Sequence, residues 1–176
     1  MTWNSHHRRG EILRTVIAEA DARQDGCLPM DVNGVAETFG DEHTLLGALQ
    51  LRWHTRLAGR IERELMSQPM DLEAAVIAAW HSTASELPGI LAIIDHYRAE
   101  PVDDEMAAAM EVSTGKEHHL LAVMAGRSSA SDAPSARVGA EIAQRARTRH
   151  APAARTLTRP APSTLVERIR AVLTAA

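Results

Sequence analysis

What most constrains this chain is the spacing of its apolar residues. They recur every three or four positions over stretches of helical length, and the stretches are punctuated by Gly, Pro and Asp. That period puts them on one face of an α-helix, while the strict alternation of a half-buried strand is missing. Ile12, Leu13, Val16, Ile17 and Ala20 mark a first helix over about 10–23, closed by Asp25-Gly26 and Pro29. A short second helix is expected over 31–39, with Asp31 as N-cap and Val32, Val35, Ala36 and Phe39 facing inward. The third and longest spans about 41–65; Leu46, Trp53, Leu57 and Ile61 fall within about 80° of one another at 100° per residue.

After Pro69 a fourth helix over 71–86 offers Leu72, Ala75, Val76, Ala79 and Trp80 to the core. Pro88 opens a fifth with Ile90, Leu91, Ile94 and Tyr97, and Pro101 ends it. The sixth covers about 103–125, led by acids that suit a helix N-terminus and stopped by Gly126. A seventh, over about 135–149, has only Val138 and Ile142 to bury and is marginal on its own. The expected fold class is therefore all-α, a single bundle of five to six helices, with Trp53, Leu57, Ile61, Val76, Trp80 and Ile94 in its core.

Charge divides the same chain differently. Residues 1–126 hold ten Lys and Arg against twenty Asp and Glu, whereas residues 127–176 hold nine against three. The expected organisation is an acidic helical body over 1–126, a marginal basic helix over 127–149, a Pro/Ala linker over 150–162 and a C-terminal amphipathic segment over 163–176. In that last segment Thr164 and Glu167 match a capping box. Leu165, Val166, Ile169, Val172 and Leu173 form its apolar face, flanked by Arg168 and Arg170. The segment is expected to be helical only when docked in a groove, a disordered tail being the alternative.

Composition excludes several chemistries. A lone cysteine, Cys27, leaves neither an internal disulfide nor a cysteine-based zinc site. One Phe, one Tyr and three Trp are too few for base stacking along a nucleic acid. Neither a signal peptide nor a membrane-length apolar run is apparent, so a cytoplasmic protein is expected. Asp21, Asp25 and Gly26 match only the start of a calcium loop, because Arg23 and Val32 stand where ligands belong. Gly115-Lys116 lacks the rest of a P-loop. The nine histidines show no i,i+4 pair; His43, His54, His81, His96 and His118 could meet only through the fold. No catalytic, cofactor-binding or metal-ligating residue is assigned.

The strongest interaction signal in the body is a row of arginines on the third helix. Arg52, Arg56, Arg60 and Arg63 lie within about 80° of each other beside the apolar stripe. Such a row grips phosphates or a partner's carboxylates. The plainer reading is that it pairs with acids of helices four to six.

Two resemblances add to this. Phe39-Gly-Asp-Glu-His-Thr-Leu-Leu-Gly-Ala-Leu, with Arg52-Trp53 and then Asp71-Leu-Glu-Ala-Ala-Val, resembles the stretch of TetR-type regulators that joins the DNA-binding headpiece to the ligand domain. It implies a self-associating helix pair and, for Arg8, Arg9 and the helix-three arginines, contact with DNA. The headpiece departs from that family: residues 24–40 are too few for a helix-turn-helix, and Glu37 and Glu42 stand where phosphate-touching residues occur. The block Met1-Thr-Trp-Asn-Ser-His-His-Arg-Arg-Gly-Glu, with Leu51-Arg-Trp-His-Thr-Arg and Gln68-Pro-Met-Asp-Leu-Glu, resembles small actinobacterial all-helical proteins of uncharacterised function. That likeness covers about residues 1–149 and implies no activity.

The expectation is thus a non-enzymatic interaction or regulatory module with a protein partner. A diverged TetR-like regulator is the first alternative and a metal-dependent enzyme the second. Leu/Ala-rich faces on helices three to six would also suit an isologous homodimer.

Overall fold

The computed structural model describes residues 3–129 and 133–150. These form seven helices and no strand: α1 Trp3–Arg23, α2 Val35–Phe39, α3 Glu42–Ser67, α4 Leu72–Glu86, α5 Pro88–Ala99, α6 Asp104–Met124 and α7 Ala133–His150. Among the described residues no helix is long and apolar enough to cross a membrane. The C-terminal candidates Leu165, Val166, Arg168, Ile169, Arg170, Val172 and Leu173, like the linker that precedes them, lie outside the described residues.

Local chemistry sets most of these boundaries. Asp41, Asp71 and Asp103 cap α3, α4 and α6, their carboxylates accepting from the backbone N–H of Thr44, Ala74 and Met106 at 2.7, 3.0 and 2.8 Å. Each such cap contributes about 1 kcal/mol. Pro88 occupies the first turn of α5, where its missing N–H costs nothing. The N–H of Gly89 is satisfied from another helix, by Asp21 of α1 at 2.8 Å. Asp21 is therefore a capping group, not a calcium ligand in waiting. At the end of α6, Gly126 takes φ +66°, Arg127 N donates to Ala122 O at 2.9 Å and Gly126 N to Val123 O at 3.0 Å. That is the glycine-terminated motif its sequence position suggested.

The second helix differs from expectation. It starts at Val35, because Gly34 before it adopts a left-handed conformation. Asp31 does not cap it; both its oxygens accept from Arg23, at 2.9 and 2.6 Å. Ala36 is exposed. On α4, Leu72 is 38 % exposed and not part of the core.

The six expected core residues are all buried, and Leu45, Leu49, Ile90, Ile93, Met106 and Leu121 complete the interior. The last helix, α7, packs along α6 and also touches α4. Ile142 anchors it, as its sequence suggested, but Val138 is only partly buried. Ala143, Ala146 and Ser135 do the rest, small side chains that let α7 come close.

Candidate functional site

The polar centre of the molecule is Glu117, in the middle of α6 and only 2 % exposed. Trp53 Nε1 of α3 donates to its Oε2 at 2.9 Å, and Trp80 Nε1 of α4 donates to its Oε1 at 3.4 Å. The two indoles stand edge to face with centroids 6.0 Å apart. His54 Nε2 lies 3.7 Å from Oε2. From α5 and α7 come two guanidiniums, Arg98 and Arg147, which share Asp95 Oδ1 at 2.8 and 2.9 Å. Five helices therefore meet around one carboxylate.

Burial alone would raise the Glu117 pKa, but the His54 ring, Arg147 and Arg98 outweigh it and hold the carboxyl at about 2. An ionised carboxylate inside a protein is stable only when its charge and lone pairs are answered, and here both are. Arg147 also lies over the Trp80 ring, its guanidinium carbon 5.2 Å from the centroid. His150 packs edge-on to that ring at 5.5 Å and stacks with His81 at 5.6 Å. His81 Nε2 reaches Ala146 O at 2.9 Å, so the last turn of α7 is fastened to α4. Burial keeps both His118 and His150 below the usual histidine value.

This cluster has the charges of a reactive site without the access. Glu117 is walled in by two tryptophans, so it organises helices. Nothing in the composition singles it out among the twenty acids of residues 1–126. Its spacing held the clue: Met106, Met110, Glu117 and Leu121 share the buried face of α6. A carboxylate in register with an apolar stripe must find donors inside the fold.

Two open clefts flank α6 on its other sides. One, of about 370 Å³, lies between the end of α5 and the first half of α6; Arg98, Pro101, Met110, Thr114 and His118 line it. The other, of about 440 Å³, follows Val112, Lys116, Leu120 and Val123 along the helix. Gly115 borders both. Val112 is 58 % exposed, and a side chain at Gly115 would point into open space.

The arginine row divides. Arg56 and Arg60 both hold Glu86, the last residue of α4, at 2.5 and 2.7 Å. The paired guanidiniums keep that carboxyl below its ordinary value: the Arg56 hydrogen bond is the largest contribution and burial opposes it. Arg52 and Arg63 are exposed, with no ion pair among the described residues. Of the N-terminal pair, Arg9 donates to Thr38 O at 3.1 Å and lies over the Phe39 ring, fastening α2 to α1.

The basic half of the chain is partly spent inside the molecule. Arg127 and Arg145 both reach Glu73 of α4, at 3.0 and 2.8 Å. Apart from the stacked His81 and His150, the histidines have separate partners: His43 pairs with Asp103, His54 with Glu117, and His96 packs on Tyr97. Among the described residues no three His, Cys, Asp or Glu side chains are placed to share a metal ion. Comparison with family models, curated proteins and solved structures gives no match for this chain.

Proposed function

We propose that this chain is a non-enzymatic cytoplasmic interaction or regulatory module whose partner is a protein. One observation carries the reading. The cluster with the charges to do chemistry is closed around Glu117, while the unspent surface of α6 is apolar and open. An exposed apolar surface rimmed by polar groups is what a protein partner covers.

Arg52 and Arg63, exposed and without an ion pair among the described residues, favour a second reading, a diverged TetR-like regulator that meets DNA. Titration of the purified chain with duplex DNA separates the two. The first reading expects no binding even at low salt. Binding whose log affinity falls steeply with log salt would replace it with the second, because neutralising several phosphates releases their counterions.

A further inference from the structure

The clefts beside α6 have an occupant within reach. The described chain stops at His150, one turn after Arg147. Arg147 shares Asp95 with Arg98, which lines the first cleft, while His150 packs on Trp80 and His81, so the chain leaves the bundle against α4 and must cross to reach that cleft. Residues 151–162 then span up to about 40 Å when extended, more than the roughly 30 Å length of a 21-residue helix such as α6.

Charge and shape both match. The chain beyond His150 carries Arg155, Arg159, Arg168 and Arg170 against Glu167 alone. Glu111 lines the first cleft, and the exposed Glu100, Asp104 and Glu105 lie next in sequence to its Pro101 and Ala107. The cation nearest this rim, Arg98, is already held by Asp95 and by Thr114. Gly115 leaves a notch between the clefts, where nothing lies within 4 Å of an added Cβ. A helix can therefore approach closely there and set side chains to either side.

From this we infer that residues 163–176 fold back onto α6 of their own chain, with Leu165, Ile169 and Val172 entering the clefts on either side of Gly115 and Arg168 and Arg170 meeting the acids of the rim. The tail so placed occupies the α6 face on which the proposed protein partner docks, so that partner must displace it; the fold-back itself does not rest on that reading.

Amide hydrogen exchange on the full chain tests it. Residues 165–173 are expected to exchange about tenfold or more slowly than an unstructured peptide, equally at low and high protein concentration. Gly115→Leu fills the notch without touching the core and should abolish that slowing. Ile169→Glu should do the same, with α1–α7 protection unchanged. Unstructured-peptide rates at 165–173 in the unmodified chain would overturn the inference. So would slowing that survives both variants, or slowing that grows with concentration, which would make a second copy the host.

Discussion

The α6–α7 contact and the long helix α3 both contain mid-helix glycines, and they use them in opposite ways. At Gly139 of α7 a Cβ would fall onto the backbone carbonyl of His118 in α6. The same holds at Gly89, whose Cβ would strike the backbone of α1 at Ala20. Gly47 and Gly59 of α3 face nothing within 4 Å. Sequence alone prices Gly47, Gly59 and Gly139 alike, at about 1 kcal/mol against Ala in a helix interior, while Gly89 sits in the first turn of α5. The fold separates them: two let helices cross backbone to backbone, and two are unused cost. Close crossings matter here because α7 has so little apolar bulk, and its hold on α6 depends on distance more than on side-chain volume.

The sharpest way to break this comparison is Gly139→Ala. The methyl group has nowhere to go, so α7 must move off α6, and the contacts of Ile142, Ala143 and Ala146 loosen with it. The expected loss is about 3 kcal/mol, the upper part of the overpacking range, read as a lower midpoint in urea denaturation. A change under about 0.5 kcal/mol would mean that the close crossing contributes little.

The next effect concerns what the crossings enclose. Glu117→Gln keeps the shape but removes the charge. Its amide oxygen can accept from one indole N–H and leaves the other without a partner, while Arg98 and Arg147 lose their buried counter-charge. About 2 kcal/mol is expected, because an unsatisfied buried donor costs about 1–3 kcal/mol and both arginines retain Asp95. The pH dependence has a definite sign. Glu117 is held at about 2 in the fold against an ordinary 4.5, so its contribution is fully present above pH 4.5 and is lost as pH falls through about 2. The variant should lack that part of the acid transition.

Histidines act at higher pH and in both directions. Burial lowers His118 and His150, so their contribution is complete above 6.5 and declines as pH falls below it. The hydrogen bond to Asp103 raises His43, whose contribution is complete below 6.5 and is lost as pH rises through its folded value. Thermal scans of unmodified protein and variant at pH 7, 4.5 and 3 would resolve the carboxylate from the histidines.

What the sequence made legible was local. Asp41, Asp71, Asp103, Pro88 and Gly126 each announce a helix boundary through their own bonds to the next few residues. Asp31 has the same chemistry, yet Arg23 takes both its oxygens and Gly34 sets the start of α2 instead. The Glu117 cluster could not be read in this way, since its donors come from residues far apart in the chain. Its only local trace is a charged residue in phase with Met106, Met110 and Leu121. The grip of α7 was hidden for another reason: apolar counting scores Val138 and Ile142 and passes over Gly139, Ala143 and Ala146, whose contribution is to take up little room.

The smallest effect belongs to the open glycines, and it tests the other half of the comparison. Gly59→Ala on α3 should stabilise the protein by somewhat under 1 kcal/mol, because alanine removes freedom from the unfolded chain and its methyl meets no neighbour. For a chain of this length that is a rise of about 2–4 °C in Tm. Helix α3 supplies Trp53 and His54 to the carboxylate centre and Arg56 and Arg60 to Glu86, so tightening it should not disturb either cluster. A drop in Tm would carry more information than the expected rise. It would mean that this side of α3 is a packed surface in solution, against a second copy of the chain, and sedimentation of unmodified protein and variant would then have to differ in mass.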